Sequence, residues 1–379
     1  MTNIAICMTL MGYWVFLFLF GDNMNLSEIF KFENLFMAHE LCRRGKQHKR
    51  GTIMFELDNA RNITQLAAAL ANKKYKIGKY RMFKIYDPKE RQIKALPYKD
   101  RVVQMCFCRN VLEPCLERRL IHDNAASRVG RGTDFAINRM HSFMRKLFIN
   151  TGGNDAYFLK CDIAKYFASI NHEILISQLQ RCGFSADEMW YMKMVISSSD
   201  DIAGLPLGNQ TSQWFALLYL NDLDHFIKEK LRVGYYVRYM DDFILLHRDK
   251  EFLKECRAAI ERFCNEKLQL KLNAKTQIGR IRDGMDFLGF NHRLTSTGRI
   301  IKTIRASARR RQRRYLKTIS RCYLDDIVDD KYLSVRQASF VGHMRGAIGK
   351  KFVINALNTM RRMKRIAGGG VNCLKHGQK

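Results

Sequence analysis

An α+β protein built from more than one lobe is what the sequence predicts, on three observations. Helix-period segments and short strand-like runs are interspersed along most of the chain, and a strongly basic helical stretch closes it. With 379 residues, the chain is long for one domain, and 47% hydrophobic content can fill more than one core. An apolar share of that size excludes a disordered chain, and only 4 prolines and 24 glycines exclude a collagen-like or low-complexity one. Lys and Arg number 66 against 36 Asp and Glu, a formal net charge of +30. That excess points to a polyanionic partner, most simply nucleic acid, with a merely solubilising surface as the plainer alternative.

The elements follow in chain order. Ile4 to Phe20 carries no charge and is near the lower length limit for a membrane-spanning helix. No Lys or Arg precedes it and no small-residue cleavage site follows, so a secretory signal fits poorly. Three readings stay open for residues 1–23: an extension upstream of a start at Met24, a membrane anchor, or a core helix. The basic body behind them is expected in the cytoplasm, with no obligate membrane partner.

Leu26 to Ala71 reads as helical, broken by a basic stretch from Arg43 to Gly51, and Ile63–Tyr75 reads as an amphipathic helix. Tyr80 to Gln104 reads as two short strands about a Pro-Lys turn, then a helix with Asp100 as its N-cap. A helix through Glu117, the Gly-rich stretch Ala126–Thr133 and another helix come next. Tyr157–Phe167 is a strand running into a helix, and Tyr235–Arg248 is two strands about a tight turn. Leu268–Asn273 and Met285–Phe290 read as further strands. Between Ile301 and Lys379, 20 Lys or Arg face 4 acidic residues, a net +16. A basic helix is expected over Arg305–Arg321 and a second from Ser334 to Arg365. Such a run is either a solvated face or a lobe that grips a phosphate backbone. The 11 cysteines are spread thinly and form no paired CxxC ligand sets, which argues for a reducing compartment and against structural zinc. Most are expected to fill core space.

Asp241 and Asp242 sit at the turn of an apolar hairpin, where paired acids repel each other. A divalent cation would relieve that repulsion. Adjacent residues of an extended chain point to opposite faces, so one of the two, Asp241, is expected to face the working surface. Asp162 ends the strand Phe158–Asp162. If the two strands are neighbours, Asp162 and Asp241 could share two Mg²⁺ ions, which prefer hard oxygen ligands and can activate an attacking hydroxyl. By themselves these acids also fit a polar hairpin tip and an unrelated strand end.

The blocks around them carry a family resemblance. Tyr239-Met240-Asp241-Asp242 looks like the catalytic box of reverse transcriptases. RQIKALPYKDRVVQ and ASRVGRGTDFA resemble the two fingers blocks, and LKCDIAKYFASI the block of the first catalytic aspartate. GLPLGNQTSQWFALLYLNDLD resembles the template and nucleotide block, LKLNAKTQI the lysine-bearing block and DFLGF the primer grip. The likeness runs from about Met54 to Phe290.

The resemblance implies a right-hand polymerase with a ferredoxin-like (split βαβ) palm, mixed fingers and a helical basic thumb. The corresponding boundaries are an extension over residues 1–23, fingers over 24–156, a palm with some fingers insertions over 157–298, and thumb and tail over 299–379. Asp162 and Asp241 match the metal ligands, with Asp242 beside them and the carbonyl of Ile163 completing the site. Phe167 matches the aromatic gate that clashes with a 2′-hydroxyl, and a core aromatic is its plain alternative. Lys89 and Arg91 match fingers residues that grip the dNTP triphosphate, and exposed turn cations are theirs. Lys275 resembles the lysine that protonates the leaving pyrophosphate, and a surface lysine is equally compatible.

Most reverse transcriptases carry Gln-Gly-x-x-x-Ser-Pro in the nucleotide block. Here Leu207 precedes Gly208, and Gln213 stands at the Pro position. That variant resembles the enzymes of diversity-generating retroelements, relatives of the group II intron and retron reverse transcriptases. It implies error-prone copying at template adenines, with template RNA, an RNA/cDNA hybrid and an oligomeric accessory variability protein as partners. Leu207 cannot hydrogen-bond a nucleotide as Gln does, which lowers the cost of a mispair; a packing leucine is the simpler account. An antiviral or group II intron or retron-like enzyme, and a non-catalytic RNA-binding protein, are the alternatives. The last would not need Asp162, Asp241 and Phe167 in polymerase register.

Overall fold

The computed structural model describes residues 9–10, 13–14, 24–86, 90–198, 203–325 and 327–343. Helix and sheet are mixed, as the sequence predicts, and the chain divides into two compact units. Of the apolar N-terminal segment, Thr9–Leu10 pairs antiparallel with Tyr13–Trp14, and the rest lies outside the described residues. No helix among the described residues is long and apolar enough to cross a membrane.

The first unit comprises residues 1–119 and 170–219. Two of its helices start where local chemistry says they should. Asn25 with Glu28, and Ser185 with Glu188, form reciprocal capping boxes at two of the starts, satisfying amides that would otherwise lack partners. The core is aromatic where Phe30, Phe107 and Tyr191 meet, with ring centroids 4.4 to 6.1 Å apart. The helix expected over Ile63–Tyr75 runs over Asn59–Ala71. It stops early because Lys73 adopts a left-handed φ of 54°. Strands β1 (Arg81–Ile85) and β2 (Arg91–Ala95) pair antiparallel. The residues of their turn, including Lys89, lie outside the described ones. The next helix begins at Tyr98 with Pro97 in the cap position, so Asp100 is not the N-cap. Its carboxylate is turned inward to accept the hydroxyl of buried Tyr75, and burial pushes its pKa up.

The second unit comprises residues 120–169 and 220–379. A four-stranded sheet forms from β3 (Tyr157–Asp162), β4 (Tyr236–Tyr239), β5 (Asp242–His247) and β6 (Gln277–Arg280). It is antiparallel throughout, in the order β4-β5-β3-β6. Alternation sends Phe158, Ile244 and Leu246 to one face, where helix Thr133–Thr151 covers them with Met140, Phe143 and Leu147. Burying each such side chain contributes about 1.5–3 kcal/mol. Helix Lys250–Leu268 packs on β3 and β5 from the other side, burying Leu253, Ile260 and Cys264. That helix continues to Leu268 and is ended by Gln269 in the left-handed region. The strand expected over Leu268–Asn273 is therefore reduced to one bridge, Leu272 to Ile163. A three-stranded sheet follows, β7 (Met285–Phe287), β8 (Phe290–Leu294) and β9 (Ile300–Ile304), in the order β9-β8-β7. The expected strand at Met285 thus splits at Leu288-Gly289 into two.

Helix Ala306–Leu324 presents Arg309, Arg310 and Arg314 as exposed residues. It packs against helix Asp330–His343, and Ile319 on the first helix and Leu333 on the second are buried. The remainder of the second helix expected to reach Arg365 lies outside the described residues. Seven of the nine cysteines described are buried and all nine are free, in keeping with a packing role.

Candidate active site

The acidic cluster is built by strand register. Asp162, the last residue of β3, lies directly opposite Asp242, the first residue of β5. Directly opposed residues of an antiparallel pair share a face, so their carboxylates are neighbours. Tyr239 pairs with Asp242 across the hairpin, leaving Met240 and Asp241 as a two-residue turn. Met240 has a φ of 54°, a region that disfavours a side chain bearing Cβ at the first turn position. Such backbone strain costs about 1–3 kcal/mol and clusters at functional sites. Lys165, just after the first acid, has a φ of 47° and repeats the pattern.

Two residues that sequence reasoning missed hold these acids. Asn273 binds Asp162 twice: its N–H donates to the Asp162 carbonyl at 2.7 Å and its Nδ2 to Oδ2 at 3.1 Å. With the Ala164 N–H donating to the Lys271 carbonyl at 2.9 Å, this laces Ile163 between two backbone bonds. Lys160, two residues before Asp162 and on the same face, places Nζ 3.3 Å from Asp242 Oδ2 and 2.9 Å from the Asp286 carbonyl. A lysine at i−2 of a strand-end aspartate is the signal that could have found it. Burial pushes the Asp242 carboxyl up to about 6, and Asp162 adds to the rise while Lys160 opposes it.

The remaining predicted residues divide between the units. Phe167 is half-buried in the second unit, its ring 5.6 Å from that of Tyr166. Lys275 is exposed there, and its backbone N–H caps Asn273 Oδ1 at 3.1 Å. Arg91, Leu207, Gly208 and Gln213 belong to the first unit. Arg91 is exposed at the start of β2. The Leu207 carbonyl accepts the Lys94 N–H at 3.0 Å, which ties the nucleotide block to β2. Gly208 has a φ of +128°, and a Cβ there would lie 2.7 Å from the Lys94 carbonyl oxygen, so glycine is required. Gln213 is half-buried on helix Gln210–Tyr219. Asn209 Nδ2 donates to the Tyr80 hydroxyl at 2.8 Å, anchoring the same loop next to β1.

Among the described residues, no group of three or more His, Cys, Asp or Glu side chains converges as a closed metal cluster. Mg²⁺ asks for less: it usually takes one or two carboxylates, several waters and substrate phosphates. The residues present fit that demand. All donors are hard oxygens, and Oδ1 of Asp242 is buried without a hydrogen-bond partner.

A family model described as "Reverse transcriptase (RNA-dependent DNA polymerase)" matches residues 72–292, more than half of the chain. No curated protein matches it. Solved structures similar to the chain include apo telomerase from Candida tropicalis truncated from its C-terminal domain. That likeness has 16% identity and a TM-score of 0.46, covering 59% of this chain and 54% of that one. Telomerase from Candida albicans, in complex with a TWJ fragment of telomeric RNA, is similar at 11% identity and a TM-score of 0.47. It covers 82% of this chain and 64% of its own. Apo telomerase from Candida tropicalis aligns at 14% identity and a TM-score of 0.48, over 66% of this chain and 53% of that one. The chain thus spans less than two thirds of each of these relatives.

Proposed function

The chain belongs to the reverse transcriptase (RNA-dependent DNA polymerase) family, and from that premise we propose that it extends a DNA primer on an RNA template. The primer 3′-hydroxyl attacks the α-phosphate of a dNTP and pyrophosphate leaves. The single observation that carries this reading is the register that sets Asp162 opposite Asp242, with Asp241 on the turn beside them. Two Mg²⁺ ions held by Asp162, Asp241 and the Ile163 carbonyl, with Asp242 adjacent, would supply hydroxyl activation and charge stabilisation on the pyrophosphate.

The protein's own groups do the rest. Asn273 fixes the Asp162 carboxylate, and Lys160 restrains Asp242. Phe167 blocks a 2′-hydroxyl and selects dNTPs. Arg91, with Lys89, neutralises the triphosphate, and Lys275 delivers a proton to the leaving pyrophosphate. On this reading residues 24–156 are fingers, 157–298 the palm and 299–379 the thumb.

The retroelement subtype is part of the proposal. Leu207 and Gln213 support it, because an aliphatic residue beside the nascent pair removes a polar check on pairing. Template RNA, the RNA/cDNA hybrid and an oligomeric accessory protein are its partners. The test is primer extension on a defined RNA with Mg²⁺, comparing wild type with Asp241→Ala and sequencing the products. Wild type should extend and Asp241→Ala should not; extension by both would sink the polymerase site. Leu207→Gln should lower misincorporation at template adenines, and an unchanged error spectrum would remove the subtype alone.

A further inference from the structure

We propose that Arg238 is a positioning residue for the acidic turn, acting through the main-chain carbonyl of Met240. The inference rests on the polymerase reading of Asp241. Arg238 and Asp224 are both fully buried. Arg238 donates from Nε to Asp224 Oδ1 at 2.7 Å and from Nη2 to Oδ2 at 2.6 Å. Tyr236 adds its hydroxyl to Oδ1 at 2.6 Å. The carboxylate is thereby saturated on the side of the fork, and Nη1 is directed to the Met240 carbonyl at 3.1 Å.

The backbone of Arg238 is held as firmly as its side chain. Its N–H donates to the Asp123 carbonyl at 3.0 Å and its own carbonyl accepts the Ala125 N–H at 2.9 Å. A rigid, planar donor set thus spans from the body of the unit to one atom of the strained turn. An ion pair buried in this way gives little net stability over an apolar pair of similar volume. The bond that an apolar pair cannot reproduce is the third one, to Met240. Met240 sits at a φ of 54°, and a bond to its carbonyl fixes the peptide that leads into Asp241. Misplacing a reacting group by about 1 Å can slow the chemical step by about a hundredfold.

The test uses the full chain in primer extension, with kcat and the KM for dNTP measured separately. Arg238→Met alone would leave Asp224 buried and unpaired, so the informative variant is R238M/D224L/Y236F, which replaces the pair and the hydroxyl bonded to it with apolar groups. Arg238→Lys is the second variant, keeping the charge opposite Asp224 and losing the fork. Both should melt as folded proteins, with kcat roughly tenfold to hundredfold below wild type and KM nearly unchanged. A folded variant that keeps wild-type kcat overturns the positioning role. So does failure of both variants to fold, which would make Arg238 purely structural. If wild type itself makes no product, the polymerase reading fails instead.

Discussion

Lys160 shows how much of the site depends on single side chains that carry no motif. It is mostly buried and faces Asp242 across a strand pair. Lys160→Met should therefore destabilise the protein by about 3 kcal/mol, because breaking one half of a buried pair leaves an uncompensated charge; urea unfolding of the variant checks this. A second prediction concerns His141 and His292, whose rings meet with Nε2 of the first 2.9 Å from Nδ1 of the second. His292 Nε2 donates to the Phe287 carbonyl at 3.3 Å, so its Nδ1 accepts from His141 and both rings are neutral. Burial holds His141 down at about 4 and, with His141 beside it, His292 at about 3, against an ordinary 6.5. The unfolded chain takes up protons below pH 6.5 while the folded pair does not. Stability should thus fall by about 2–4 kcal/mol from pH 7 to pH 5, and the loss should shrink in His292→Leu. The acids themselves stood out in the sequence because the paired charges sit in an apolar hairpin and the blocks around them resemble those of reverse transcriptases. Asn273 and Arg238 were not, since the partners Asp162 and Asp224 that hold them are brought near only by the fold, and Lys160 was marked only by its place two residues before Asp162.

Element boundaries were legible where one residue type dictates them. The hairpin at Asp241 and the strand ending at Asp162 follow from apolar alternation bounded by acids. Where a backbone conformation decides, the sequence was silent. Gln269 in the left-handed region ends a helix and turns an expected strand into a single bridge, and nothing about glutamine announces that. Pro97 rather than Asp100 starts its helix, because Tyr75 draws the carboxylate inward. At this scale Gly208 makes the sharpest prediction. A methyl there meets the Lys94 carbonyl and forces an unfavourable φ, so Gly208→Ala should cost about 1–3 kcal/mol and raise the KM for dNTP. Melting curves and steady-state kinetics on the variant read both.

At the scale of the whole molecule, charge is the property most plainly legible. A net +30 with exposed arginines on helix Ala306–Leu324 predicts a steep salt dependence for hybrid binding. Replacing Arg309, Arg310 and Arg314 with Gln should weaken affinity at every sequence alike and flatten the log–log salt slope by roughly 0.7–0.9 for each phosphate no longer neutralised. More than one lobe, with segments of the first inserted into the second, was expected from the sequence, but where the chain crosses between the units was not, because residues 170–219 return to the first unit only after β3 has been laid down in the second. The strand order β4-β5-β3-β6 has one more effect. Both acid-bearing strands are interior, so neither can trade its amide protons for deuterium until a flanking strand has peeled away. Amides of Cys161 and Phe243 should be among the slowest in the protein to exchange.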